Sequence, residues 1–83
     1  MFIHLGSDRM ISAEEVVAII NIDSYINVSL KEIIELGRAE KNLHLICPMD
    51  RAKSLVITDN QIYLSPISSV TLYKRTHSKG GVQ

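Results

Sequence analysis

The sequence predicts a small α+β domain, and three observations carry that prediction. The chain has 83 residues, too few to wrap two hydrophobic cores. Its apolar residues fall mostly in short, β-branched runs separated by turn-forming residues, the pattern of several short strands. One central segment breaks that rhythm with apolar residues at helical spacing behind a capping serine. The expectation is a single domain of about five mostly antiparallel strands, one central helix and a short C-terminal helix.

The elements follow in order. Residues 2–5, Phe2-Ile3-His4-Leu5, form the first strand and stop at the turn cluster Gly6-Ser7-Asp8. Residues 9–12 can return from that turn as a short second strand. Residues 16–22 are rich in valine and isoleucine and close on Asn21-Ile22-Asp23-Ser24, which favours a buried strand. A helix continuing from Ala13-Glu14-Glu15 is the rival that periodicity leaves open. Ser29 and Glu32 have capping-box spacing at the head of the central helix. Leu30, Ile33, Ile34 and Leu36 are expected on its apolar stripe, with Lys31, Glu32, Glu35 and Arg38 outside, and the helix should end near Lys41-Asn42 despite the cost of Gly37. Residues 43–47 read as a strand ended by Pro48, followed by the charged loop 49–52. Residues 54–58 and 61–65 flank Asp59-Asn60 and give the strongest hairpin signal in the chain. After Pro66, Ser68 or Ser69 can cap a short helix running through Val70, Leu72 and Tyr73 to Lys74-Arg75. The tail, residues 77–83, has little to bury and is expected to be flexible.

Few classes of chemistry fit these residues. His44-x-x-Cys47 suggests half a zinc site or a nucleophile and its base, but residues three apart on a strand point to opposite faces. Glu14-Glu15 diverge, and Glu32 and Glu35 lie on a solvated helix face, which makes paired acid–base work improbable. Gly6, Gly37 and Gly80-Gly81 match no phosphate-cradling loop. The chain is therefore expected to be no enzyme, to need no cofactor and to take no small-molecule substrate. A lone cysteine, Cys47, suits a reducing compartment. The longest apolar run, Val16-Val17-Ala18-Ile19-Ile20, falls far below the roughly 20 residues of a membrane span. With no visible signal peptide, a cytoplasmic protein is expected.

The charge is more informative. Nine Lys and Arg balance nine Asp and Glu, which argues against a generically basic nucleic-acid binder. The balance is a cancellation, however: residues 1–40 carry seven acids and three bases, a net of −4, and residues 41–83 carry two acids and six bases, a net of +4. Arg51 and Lys53 flank the loop before the hairpin. Lys74 and Arg75 end the short helix, where the helix dipole alone would favour them. Arg51 has nothing local to cap, and an arginine fork grips phosphate. No helix-turn-helix and no paired aromatic strand motif is present, so any nucleic acid is met by loops or edges of a β scaffold. So thin a core also favours self-association. Acidic and basic halves of neighbouring subunits can dock head to tail, in which case the chain is an interaction module.

Several segments together carry a family likeness. They are His4-Leu5-Gly6, Ile11-Ser12-Ala13-Glu14-Glu15-Val16-Val17-Ala18-Ile19, Lys53-Ser54-Leu55-Val56-Ile57-Thr58, and the run from Tyr63-Leu64-Ser65-Pro66 through Ser68-Ser69-Val70-Thr71-Leu72-Tyr73-Lys74-Arg75. In this ordered set the chain resembles the bacterial extracellular-matrix regulatory proteins, the RemA/RemB family, and its closing run is most like the RemB branch. The resemblance covers residues 1–76. It implies a cytoplasmic transcriptional regulator of biofilm-matrix genes, with a fold similar to the LytTR-type DNA-binding domain. It also implies a homo-oligomer, ring-shaped in the RemA branch, that contacts double-stranded DNA through many weak repeated contacts. By position, Arg51 matches a DNA-facing loop arginine of the RemA branch and Lys53 keeps a later basic position. Asp50 and Glu15 stand where that branch has further arginines. The expected DNA-binding residues are Arg51, Lys53, Lys74 and Arg75.

Overall fold

A computed structural model describes residues 1–22 and 28–76. The turn at residues 23–24 and the tail 77–83 lie outside the described residues. Among the described residues six strands and two helices form, in the order β1 (Phe2–Gly6), β2 (Arg9–Ser12), β3 (Val16–Asn21), α1 (Val28–Ala39), β4 (Leu43–Leu45), β5 (Ser54–Thr58), β6 (Ile62–Ser65) and α2 (Ser69–Thr76). The α+β class is as expected, and the short strand at 9–12 is present as the partner of β1.

Each element has a local cause. Ser7 and Asp8 both take left-handed backbone, at φ 47° and 65°, which makes the two-residue turn that suits the twist of a β1–β2 hairpin. Gly6 stands at φ 109° with the Pro66 ring against it, and a Cβ there would lie 3.2 Å from Pro66 Cγ. That position needs glycine for both backbone and space. The rival helix at Ala13 is only a single 3-10 turn over Ala13–Glu15, with the Ser12 hydroxyl accepting from the Glu14 N–H at 3.3 Å, before β3 begins. β3 then pairs antiparallel with β5, β5 with β6, and β4 joins β6 in parallel, giving the order β3-β5-β6-β4.

The central helix departs from expectation in three places. It starts at Val28, so Ser29 lies inside the first turn rather than ahead of it, and the cap position falls outside the described residues. It also ends earlier, at Ala39. Lys41 turns left-handed (φ 63°), its N–H donates to the Arg38 carbonyl at 3.2 Å, and the Asn42 N–H donates to Gly37 at 3.0 Å, the paired bonds of a Schellman stop. Leu36, expected on the inner stripe, is 59% exposed. At 100° per residue Leu36 sits 200° round from Ile34, and the inward position falls to Gly37 instead. A Cβ on Gly37 would meet Ile62 Cδ1 at 3.0 Å, so its lack of a side chain is what lets α1 approach the sheet.

Strand alternation sorts the core into two layers. Leu55 and Leu64 face Ile22, Leu30 and Ile34 on the α1 side. Val56 and Tyr63 face Ile3, Leu5, Ile11 and Leu72 on the other. The four-stranded sheet is therefore covered by α1 on one face and by the β1–β2 hairpin with α2 on the opposite face. α2 runs the length of β3, from the Asn21 end of the sheet to the Val16 end.

Candidate nucleic-acid interface

Four chain segments meet at one end of the sheet and hold Arg51 and Lys53 in place. Residues Met49–Arg51 make a 3-10 turn rather than an irregular loop, with the Arg51 N–H donating to the Pro48 carbonyl at 2.9 Å and Ala52 to Met49 at 3.3 Å. The Lys53 backbone is stitched on both sides: its N–H donates to the Ser65 carbonyl at 2.8 Å, and its carbonyl accepts from Ile22 at 2.9 Å. Ser54 and Ser65 are paired in register and fully buried. The Ser54 hydroxyl donates to the Ile67 carbonyl at 2.8 Å. The Ser65 hydroxyl donates to the Leu5 carbonyl at 2.7 Å and accepts from the Ile67 N–H at 3.0 Å. Two short strand-end serines thus tie the segment after β6 to both neighbouring layers.

That segment leads into α2, where Ser68, the first of the two expected capping serines, accepts from the Thr71 N–H at 3.2 Å. The result is an open cleft of about 600 Å³ lined by Asn21, Ile22, Asp50, Arg51, Ala52, Lys53, Pro66 and Ser68. Arg51 and Lys53 are exposed. They offer one guanidinium fork and one ammonium beside the positive end of an eight-residue helix, a set of donors suited to phosphate oxygens. Asp50 shares the cleft and adds one opposing charge.

Lys74 and Arg75 are elsewhere. Both follow Ser68 by most of the length of α2, about 10 Å at 1.5 Å per residue. Lys74 is exposed. The Arg75 guanidinium donates from Nη1 to the His4 carbonyl at 2.7 Å and so ties the end of α2 to β1. The four expected DNA-facing cations are thus two pairs at opposite ends of the sheet, and only Arg51 and Lys53 share a cleft. Glu15, exposed at the far end of β3 from Asn21, is separated from that cleft by roughly 20 Å of strand.

The residues weighed for catalysis are placed apart from one another, in the sheet, beside the cleft and on the surface. His44 stacks on Tyr63 with ring centroids 5.1 Å apart, and its Nε2 hydrogen-bonds to Gln61 Oε1. The Arg9 guanidinium lies over the other partner of that stack, 5.7 Å from the Tyr63 centroid. Burial pushes the Cys47 thiol above its ordinary pKa, Asp50 pushes it further and Arg51 pulls the other way. A raised thiol is a poor nucleophile near neutral pH. Glu14, Glu15, Glu32 and Glu35 are all exposed.

Sequence reasoning missed Ser54 and Ser65. Each is a polar residue at the end of an apolar strand run, which reads as a strand boundary until the buried partners across the layers are known. No helix among the described residues is long and apolar enough to cross a membrane.

Comparison with known proteins agrees with the likeness carried by the motifs. Residues 2–76 match the family model described as RemA-like, extracellular matrix regulatory protein A-like. The chain is also 35% identical over 77 residues to extracellular matrix regulatory protein B of Bacillus subtilis (strain 168), an alignment spanning 90% of this chain and 89% of that protein. Both the cleft and the two-layered core lie wholly within the matched region, and the chain belongs to the RemA-like family of extracellular matrix regulatory proteins.

Proposed function

We propose that this protein regulates extracellular-matrix genes as a cytoplasmic, DNA-associated homo-oligomer that accepts duplex phosphates at the Arg51–Lys53 cleft. The observation that carries the reading is the convergence of two exposed cations on a cleft that also holds the capped N-terminus of α2. Their backbones are fixed by sheet and turn hydrogen bonds, so little ordering of the chain is left to be done on binding. One such cleft is a weak site. Repetition around an oligomer multiplies it, because counterion release scales with the number of phosphates neutralised.

The test is duplex binding by the Arg51→Glu/Lys53→Glu variant across a salt series. Affinity should fall, and the slope of log K against log salt should flatten by about two per subunit engaged, near 0.9 for each lost phosphate contact. Unchanged affinity and slope would overturn the reading. A second reading, an oligomeric interaction module with little or no DNA binding, is favoured by Asp50 in the same cleft. An oligomer that ignores duplex DNA even at low salt selects it.

A further inference from the structure

The two helices lie on opposite faces of the sheet, and their outer surfaces are unlike. On α1, Leu36 is 59% exposed within a shallow apolar cup whose rim is Glu32, Glu35 and Lys31. On α2, Val70 and Tyr73 are 62% and 59% exposed, and exposed Lys74 follows Val70 by one helical step. α2 has no acid along its length. One face therefore presents a leucine between carboxylates, and the other a valine and a tyrosine beside an ammonium group.

We infer that the α1 face of one subunit receives the α2 face of a second copy, with Val70 and Tyr73 over Leu36 and Lys74 against Glu32 and Glu35. This rests on the homo-oligomer in the function proposed above and names the surface that makes it. Within one chain the two faces cannot meet, because the four-stranded sheet stands between them. Complementary patches that differ from each other make a head-to-tail contact, which repeats from subunit to subunit and closes into a ring or extends as a filament. Charge complementarity identifies the occupant: a second copy brings two apolar side chains and the Lys74 ammonium of an acid-free helix to an apolar cup whose rim carries two carboxylates against one ammonium. Two short helix faces offer less than the ~800 Å² per partner of a standard interface. Each contact is then individually weak, and repetition holds the assembly together.

The experiment is sedimentation equilibrium of the full chain at low and high salt, with duplex binding measured in parallel. The wild type should be larger than a monomer. Lys74→Glu and Glu35→Lys should each raise the dissociation constant about tenfold, the effect of ~1.4 kcal/mol, and the two together should restore much of it. Leu36→Gln, which changes no charge and sits on the surface, should weaken association with little dependence on salt. A wild-type oligomer whose mass none of these variants changes overturns the inference and leaves the proposed function standing. So does a double variant no tighter than the weaker single one. A wild-type monomer at every salt overturns both the inference and the homo-oligomer. Association that follows the expected pattern while Arg51→Glu/Lys53→Glu leaves duplex affinity intact removes the Arg51–Lys53 cleft as the DNA site and keeps this interface.

Discussion

The two ends of α2 lie beside cation pairs that look alike in the sequence and differ in what holds them. At the N-terminal end, Arg51 and Lys53 are positioned by their own backbones, through the 3-10 turn and the sheet ladder, which leaves their side chains exposed. At the C-terminal end, the α2 backbone has no sheet to lock it, and the Arg75 side chain supplies the tie by donating to His4. A cation placed by its backbone is available to a partner, whereas one that places the backbone is already engaged. That contrast separates a binding role from a structural one more sharply than local charge does.

The largest effect on this comparison should come from the residue the two ends share. Leu72 is fully buried among Ile3, Leu5, Ile11 and Val56 and is the one buried residue of α2. Leu72→Ala should cost about 3 kcal/mol in urea or guanidinium unfolding, from lost transfer energy and the cavity left behind. It should also weaken duplex binding at the Ser68 end, because an unanchored α2 no longer presents its capped N-terminus. A loss below about 1 kcal/mol, well under the range of a buried leucine truncation, would mean that the helix is held by its ends, and the contrast between them would gain weight.

A smaller effect divides the ends directly. Arg75→Ala should lower stability by about 1 kcal/mol, the net worth of a partly exposed hydrogen bond from a charged donor. It should leave the salt slope of duplex binding unchanged. Lys74→Ala, at an exposed position, should stay within about 0.5 kcal/mol of wild type. The denaturant midpoint measures both. If Arg75→Ala leaves the midpoint in place yet flattens the salt slope, Arg75 belongs functionally with Arg51, and the distinction between engaged and available cations fails.

How much of this was legible in the sequence follows from how far each interaction reaches. The β5–β6 hairpin, the Ser68 cap and the β1–β2 turn are contacts between near neighbours, and their signals are local. Even there the turn at Asp59-Asn60 departs from expectation. Neither residue takes left-handed backbone, and the turn is closed by the Thr58 hydroxyl, which accepts from the Gln61 N–H at 3.0 Å. The parallel pairing of β4 with β6 and the outward position of Leu36 depend on which helix face meets the sheet. Gly37 decides that by the absence of a side chain, a signal that reads as mere helix weakness. Arg75 and His4 are 71 residues apart, and Ser65 and Leu5 are 60 apart. No local pattern announces a side chain that reaches a backbone carbonyl across layers. The cleft is legible in part: Arg51 stands out as a cation with nothing local to cap and Lys53 as its basic neighbour, but the Ser68 end of α2 joins them only through the buried serines.

The smallest effect concerns the electrostatics of the cleft end alone, and Cys47 reports it. Its thiol is held above the ordinary value by burial and by Asp50, against the pull of Arg51. The thiolate is the form that reacts with iodoacetamide, so a raised pKa means slow alkylation near neutral pH and a rate that climbs only as pH rises past the ordinary thiol range. Arg51→Ala removes the one stabilising cation and should shift the rate profile to higher pH. Asp50→Asn removes the repelling charge and should shift it lower. Arg75→Ala, at the other end of α2, should leave it where it is. Because the phosphate group of a bound duplex adds negative charge beside Arg51, saturating the wild type with DNA should move the profile in the same direction as Arg51→Ala. A profile that ignores both Arg51→Ala and DNA would show that the guanidinium does not stay over the cleft, and the difference between the two ends would then lie in the backbone only.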